Sequence, residues 1–266
     1  AAGSVGFADS ARSQSASPIQ RFWVSYRPSF GLRGAVRAVL RAPSASLPPP
    51  GHTPHHLFKG FGCRAAHGLD AAMASDLGLD AVVLYETWLR PQRGPLQPRH
   101  ALWHRLDVLC TDLHANAPRG KGGISLLAKH SVQATLYRHC PSAHWCIWTT
   151  SGATITGVYV EPSVRLPEYQ ATLDDLVIAL ADVMAHRQRP QIVVGDFNAR
   201  LGADVGDHVT NTRRSATRGF AMQAHLELLN VRLANHQRRY TWCSAEGRSV
   251  VDLAFTRGAS SSALNI

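Results

Sequence analysis

The segment QIVVGDFNARLG, residues 191–202, constrains the fold more than any other stretch of the chain. Ile192, Val193 and Val194 make an apolar run of the kind found in a buried strand. The run stops at Gly195, and Asp196 and Asn198 follow on either side of Phe197. Side chains at i and i+2 of an extended chain face the same way. Asp196 and Asn198 are therefore expected to address one site from the end of a buried strand.

The neighbouring sequence supplies elements for that strand to pack against. GLDAAMASDLGLDAVVLYETWL predicts a short helix over Ala71 to Leu77 and a buried strand over Ala81 to Tyr85. KGGISLLAKH reads as a strand after a glycine turn. HWCIWTT and ATITGVYV, joined by SG, read as a hairpin rich in β-branched and aromatic residues. In PEYQATLDDLVIALADVMAHR, Leu173, Leu176, Val177, Leu180 and Met184 recur at helical spacing, with acids in the early turns and a basic end. Pro190 closes that helix before the strand Gln191 to Val194. Residues 218–229 read as another helix. RRYTWCS and SVVDLAFT, joined by AEGR, read as a second hairpin. Strands alternate with only some helices, which points to a mixed sheet sandwich rather than a purely parallel sheet.

The regular pattern begins at about residue 57. Residues 1–56 carry SARSQSASP and RAPSASLPPPGHTP with Asp9 as their one acid. Such a composition reads as a flexible Ser/Pro/Arg-rich segment, or as a transit peptide that would direct organelle import. The first residue is Ala rather than Met, which suggests a fragment. Two regions are thus expected, a flexible 1–56 and a folded 57–266. Hydrophobic residues make up 45% of the 266, enough for one sizeable core. No apolar run reaches the roughly 18 residues of a membrane span, so a soluble protein without membrane partners is expected. The five cysteines form no C-x-x-C pair and read as reduced thiols of an intracellular protein. Lys and Arg number 28 against 18 Asp and Glu, a formal charge of +10. That excess fits an acidic partner, nucleic acid being the commonest, or a surface that is basic only for solubility.

Several polar residues interrupt or follow the strands: Glu86 after AVVLY, Tyr159 and Glu161 in GVYVEPS, Asp196 and Asn198 after IVVG, Asp252 inside SVVDLAF. Carboxylates gathered at neighbouring strand ends suit a hard cation such as Mg²⁺, which binds phosphate oxygens alongside one or two carboxylates. Such an ion can polarise a phosphodiester and stabilise the leaving oxygen. Each residue also has a plainer explanation. Gly-Asp after a strand is an ordinary turn that Asn198 could cap; Glu86 could be a solvated strand end and Tyr159 a half-buried core residue. Asp252, mid-strand among apolar neighbours, needs a partner.

Taken together, DAVVLYETWL, RGKGGISLLA, TGVYVEPS, QIVVGDFNARLG, RRYTWCS and SVVDLAFTRG resemble the endonuclease/exonuclease/phosphatase superfamily. With NTRRSATRGF and LLNVRLAN, the chain looks most like the endonuclease domain of non-LTR retrotransposons, over about residues 57–258. The resemblance implies an α/β fold: a two-sheet sandwich flanked by helices, with the site at one edge. It implies that Glu86 and Asp196 serve the metal, Mg²⁺ or Mn²⁺, and that Tyr159 contacts the scissile phosphate. By the same resemblance Asp196 helps activate the attacking water, Asn198 orients the phosphate, and Asp252 orients a catalytic histidine. DNA is the implied partner, with a reverse transcriptase domain in the same polypeptide.

The chain departs from the family at three points. LFKGFGCRAAHGL offers Gly62 where the family has an asparagine on its first strand. Tyr85 stands where retroelement copies usually show Gln. The sequence ends at RGASSSALNI before any Ser-Asp-His motif, so the expected domain is C-terminally truncated and lacks its last strand, and an active and an inactive form of it both stay open. None of the fourteen histidines sits in a matching context. The expected function is Mg²⁺-dependent endonuclease cleavage of DNA. The alternatives are a nucleic-acid-binding remnant that never cleaves and a phosphatase acting on small phosphoesters. A retroelement endonuclease needs nuclear access, yet no basic cluster that would encode it stands out, so nuclear and cytoplasmic locations both remain open.

Overall fold

The computed structural model describes residues 81–85, 102–108, 122–230 and 249–258 in full, and 22–24, 38–39, 242–244 and 247–248 by backbone alone. The helix expected over Ala71 to Leu77, the Gly62 region and Glu86 lie outside the described residues.

Two sheets face each other. The first contains β1 (Phe22–Val24), β2 (Ala38–Val39), β3 (Ala81–Tyr85), β4 (Trp103–Val108) and β5 (Ile124–Lys129), in the order β2-β1-β3-β5-β4. The second contains β6 (Thr135–His139), β7 (Trp145–Thr149), β8 (Thr154–Tyr159), β9 (Gln191–Asp196), β10 (Glu227–Leu228) and β13 (Asp252–Arg257), in the order β10-β13-β9-β8-β7-β6. A separate hairpin pairs β11 (Trp242–Ser244) with β12 (Gly247–Ser249). Helices α1 (Leu166–His186) and α2 (Arg213–Gln223) cover the outer face of the second sheet. The α/β two-sheet sandwich flanked by helices is therefore present. Residues 1–56, given no fold by composition, contribute β1, parallel to β3, and β2, antiparallel to β1.

Two apolar layers hold this arrangement. Between the sheets, Val83, Tyr85, Ile124 and Leu126 meet Trp148, Ile155, Ile192 and Val194. Gly157 permits that closeness, because a Cβ there would stand 2.7 Å from Ile124 and 3.1 Å from Val83. On the outer face, Tyr169, Leu173, Leu176, Leu180 and Val183 of α1 pack on Trp145, Ile147, Val158 and Val193. The helical spacing read from the sequence is borne out, with the buried stripe displaced slightly so that Val177 and Met184 flank it. Helix α1 carries the chain from β8 to β9, which lie side by side in parallel, as a strand–helix–strand crossover requires. No helix among the described residues is long and apolar enough to cross a membrane.

Three expectations are corrected. The helix expected over 218–229 starts at Arg213 and ends at Gln223. The Asn211 side chain accepts the Arg213 N–H and starts it early, and His225 turns the chain at φ +53°. The apolar residues after it enter β10, which pairs with β13. The second hairpin is shorter than expected, because Asp207 diverts its second strand. That carboxylate accepts the Ser249 hydroxyl and the Val250 N–H, and β13 then pairs with β9 and β10. Asp252 is consequently the first residue of β13 rather than a mid-strand position. Strands β4 and β6 were not expected at all. Their sequences, WHRLDV and TLYRH, lack an apolar run because both strands lie at sheet edges.

Two measurements check this packing. At Gly195 an added Cβ would meet the Val158 carbonyl oxygen at 2.0 Å, so β8 and β9 cannot stay in register around any side chain there. Gly195→Ala should cost about 1–3 kcal/mol, read from the urea midpoint. At Asp207 burial would raise the carboxyl pKa, but hydrogen bonds from Ser249, Val250, Val209 and His208 outweigh it and hold the group below the usual range. A depressed folded pKa means stability that is complete above the unfolded value of about 3.9 and lost as pH falls through the folded one. Asp207→Asn should therefore cost roughly 2–4 kcal/mol at pH 7. The gap from the wild type should narrow as urea titrations are carried from neutral pH to below the unfolded carboxyl value of about 3.9.

Candidate active site

Parallel pairing of β8 with β9 sets Tyr159 beside Asp196, and antiparallel pairing of β9 with β13 sets Asp196 beside Asp252. Three of the residues singled out from the sequence thus form one row across adjacent strand ends, about 4.8 Å per step. Alternation along each strand turns all three toward the first sheet, in line with Ile155, Val194 and Ala254. All are buried: Tyr159 is 5% exposed, Asp196 2% and Asp252 8%. Two buried carboxylates side by side concentrate negative charge where water cannot screen it.

Asn198 joins the row by a different route from the one expected. The strand ends at Asp196, and Asn198 sits in the left-handed region at φ +46°, which asparagine tolerates better than most residues. Its N–H donates to Asp196 Oδ1 at 2.9 Å, and its Nδ2 donates to the Val160 carbonyl at 2.9 Å. A side-chain-capped turn, not strand alternation, brings Asp196 and Asn198 together. Phe197 points the other way and is anchored among Phe220 and Phe255, with ring centroids 6.1 and 5.4 Å away. The apolar residue inside the polar pair is what fixes the turn to the core.

Sequence reasoning passed over several contributors. Tyr85 closes β3 in the opposite sheet, and its buried hydroxyl has no hydrogen-bond partner among the described residues. Burial holds its phenol well above the usual tyrosine range, and the fields of Asp252 and Asp196 raise it further. It therefore faces the carboxylate row as a neutral donor. Only its position, immediately before Glu86, hinted at this. Asn211 holds the turn in place: Nδ2 donates to the Asn198 carbonyl at 2.9 Å, while Oδ1 accepts the N–H groups of Arg200 at 3.1 Å and Arg213 at 3.2 Å. Beside this clamp opens a pocket of about 350 Å³, bounded by the 162–166 loop, Asn198 and the start of α2.

Asp252 needs an imidazole if it is to orient one. His144 lies in the same sheet, its carbonyl accepting the Tyr159 N–H at 2.8 Å. It precedes β7, however, which is separated from β13 by β8 and β9. Three strand spacings, about 14 Å, put that ring out of reach of Asp252. Its Nδ1 lies instead 3.1 Å from the Ser142 hydroxyl. Among the described residues no three His, Cys, Asp or Glu side chains stand close enough together to hold a metal.

No curated protein matches the chain. The family model described as the Endonuclease/Exonuclease/phosphatase family matches residues 32–265, nearly the whole sequence and both faces of the site. The chain belongs to the endonuclease/exonuclease/phosphatase family, whose members are hydrolases, nucleases and phosphatases, that typically use divalent metal ions.

Proposed function

We propose that this protein is a Mg²⁺-dependent endonuclease of retrotransposon origin that hydrolyses phosphodiester bonds in DNA. The observation that carries the proposal is the row Tyr159–Asp196–Asp252 with Asn198 turned in beside it. A metal is consistent with this chemistry. The Asp196 and Asp252 carboxylates and the Tyr85 hydroxyl present only oxygen, the donor type that Mg²⁺ or Mn²⁺ takes. In this reading Glu86, next to Tyr85 in the chain, and Asp196 hold the ion. When bound, it would polarise the phosphodiester and stabilise the departing 3′ oxygen.

The remaining work falls to the chain's own groups. Asp196 accepts the proton of the attacking water, and the turn keeps its Oδ1 oriented through the Asn198 N–H. Asn198, with Nδ2 already committed to Val160, is held rigidly at the phosphate and keeps its bridging oxygens aligned. Tyr159 contacts the phosphate from the next strand. Asp252 would orient a catalytic histidine, a role that none of the fourteen histidines of this sequence is assigned. The formal charge of +10 supports a polyanionic substrate over a small phosphoester. A reverse transcriptase domain in the same polypeptide and nuclear access belong to the same proposal.

Supercoiled plasmid offers a direct test. With Mg²⁺ the protein should convert it to the nicked circle, EDTA should stop the reaction, and Asp196→Ala should slow it on the order of 10³-fold or more. Salt-sensitive DNA binding without nicking would replace the enzyme by a binding remnant. Phosphate release from small phosphoesters with the plasmid left intact would point to a phosphatase.

A further inference from the structure

Arg213 is a buried cation on which the Asp196 carboxylate acts only through space. Its side chain is 6% exposed, and its guanidinium stacks 4.6 Å from the centre of the Tyr169 ring. One nitrogen, Nη2, donates to the carbonyls of Glu161 at 2.8 Å, Pro162 at 3.1 Å and Val164 at 2.5 Å. The other, Nη1, is buried with no hydrogen-bond partner among the described residues. No ion pair to Arg213 occurs among the described residues. An arginine placed only to pin the 161–164 loop is satisfied through Nη2. That role leaves Nη1 unexplained, and a buried guanidinium is costly unless an anion meets it closely.

The pocket beside Asn198 is where such an anion would sit. Arg213 and Arg200 line it together with Asn198 and Asn211, over apolar walls that include Val164 and Val251, and no carboxylate lines it among the described residues. The Asn211 amide ties Asn198, Arg200 and Arg213 to one another. The pocket therefore keeps a fixed distance from the residue assigned to the scissile phosphate. Its volume of about 350 Å³ admits a phosphodiester with its ester carbons.

We infer that this pocket seats the phosphodiester next to the scissile one, with Arg213 and Arg200 as its cationic partners. The inference rests on the proposed phosphodiesterase reading and narrows it, because the site then measures two consecutive phosphates of a strand. A small phosphomonoester fills the catalytic position alone and leaves Arg213 without its anion. A polynucleotide occupies both.

The test is a calorimetric titration of the full chain, in Mg²⁺, with the trinucleotide d(TpTpT). Two derivatives are titrated alongside, each carrying one linkage as an uncharged methylphosphonate. Neutralising either linkage should weaken binding to the wild type about tenfold or more, the loss of a charge-assisted contact. In Arg200→Gln one of the two linkages should lose its influence while the other keeps it. Arg213→Lys, which retains the charge and loses the fork, should behave alike. Arg213 pins a loop and its variant can unfold, whereas Arg200→Gln leaves that loop untouched. Equal sensitivity of the wild type and Arg200→Gln to both linkages would overturn the inference while leaving DNA binding in place. A wild type that binds neither the trinucleotide nor plasmid DNA would remove the phosphodiesterase reading and this inference with it.

Discussion

Asp196 and Asp252 stand opposite each other across the β9–β13 ladder, both withdrawn from water, and like charges so placed repel. Neither strand would hold a carboxylate there for its own sake. The repulsion is tolerated because apolar packing over-determines the ladder. Ile192, Val193 and Val194 are buried on both faces of β9, and Leu253, Ala254 and Phe255 are buried along β13. A register slip of one residue would exchange the two faces of the sheet. It would drive Asp196 into the helix layer and Val193 into the carboxylate row. Hydrophobic burial thus imposes an electrostatic arrangement that the carboxylates alone would not adopt, which is a common way for a fold to store chemical tension at a site.

The second tier of the site is polar and depends on the first. Once Asp196 is fixed, its carboxylate caps the turn that presents Asn198. Asn211 then couples that turn to the start of α2, and Arg213 reaches from α2 to the 161–164 loop that follows β8. The path closes on itself, since β8 is the strand that pairs with β9. A disturbance at any member reaches the others through hydrogen bonds of about 3 Å, with no long flexible side chain between the catalytic turn and helix α2.

Where the sequence could be read, periodicity was the reason. The β8–α1–β9 unit is covered on both faces, so its strands appear as plain apolar runs and its helix as a 3.6-residue stripe. Tyr159, Asp196 and Asn198 were legible because each is a polar residue at the end of such a run, and Asp252 because it interrupts one. What escaped depends on contacts remote in sequence. The start of α2 is set by the Asn211 cap, and Asp207 splits SVVDLAFT into a hairpin edge and a sheet strand. No local pattern distinguishes Arg213 from the other arginines of its segment. The two edge strands were lost because half-solvated backbone carries no apolar run. Tyr85 stood out only as a departure from the Gln of retroelement copies, and the opposite sheet showed what it faces.

The order in which the row is assembled along the chain has a kinetic side. Tyr159 and Asp196 are joined by a single helical crossover, so their half of the row can form as a local unit. Asp252 reaches it only when β13 docks on β9, closing a loop that starts at Asp196 and runs through α2 and the hairpin. Loop closure of that length makes the docking a slow, entropically opposed step. A nascent or partly opened chain therefore holds the Asp196–Asn198 turn without its second carboxylate, and the row is complete only once β13 has docked on β9.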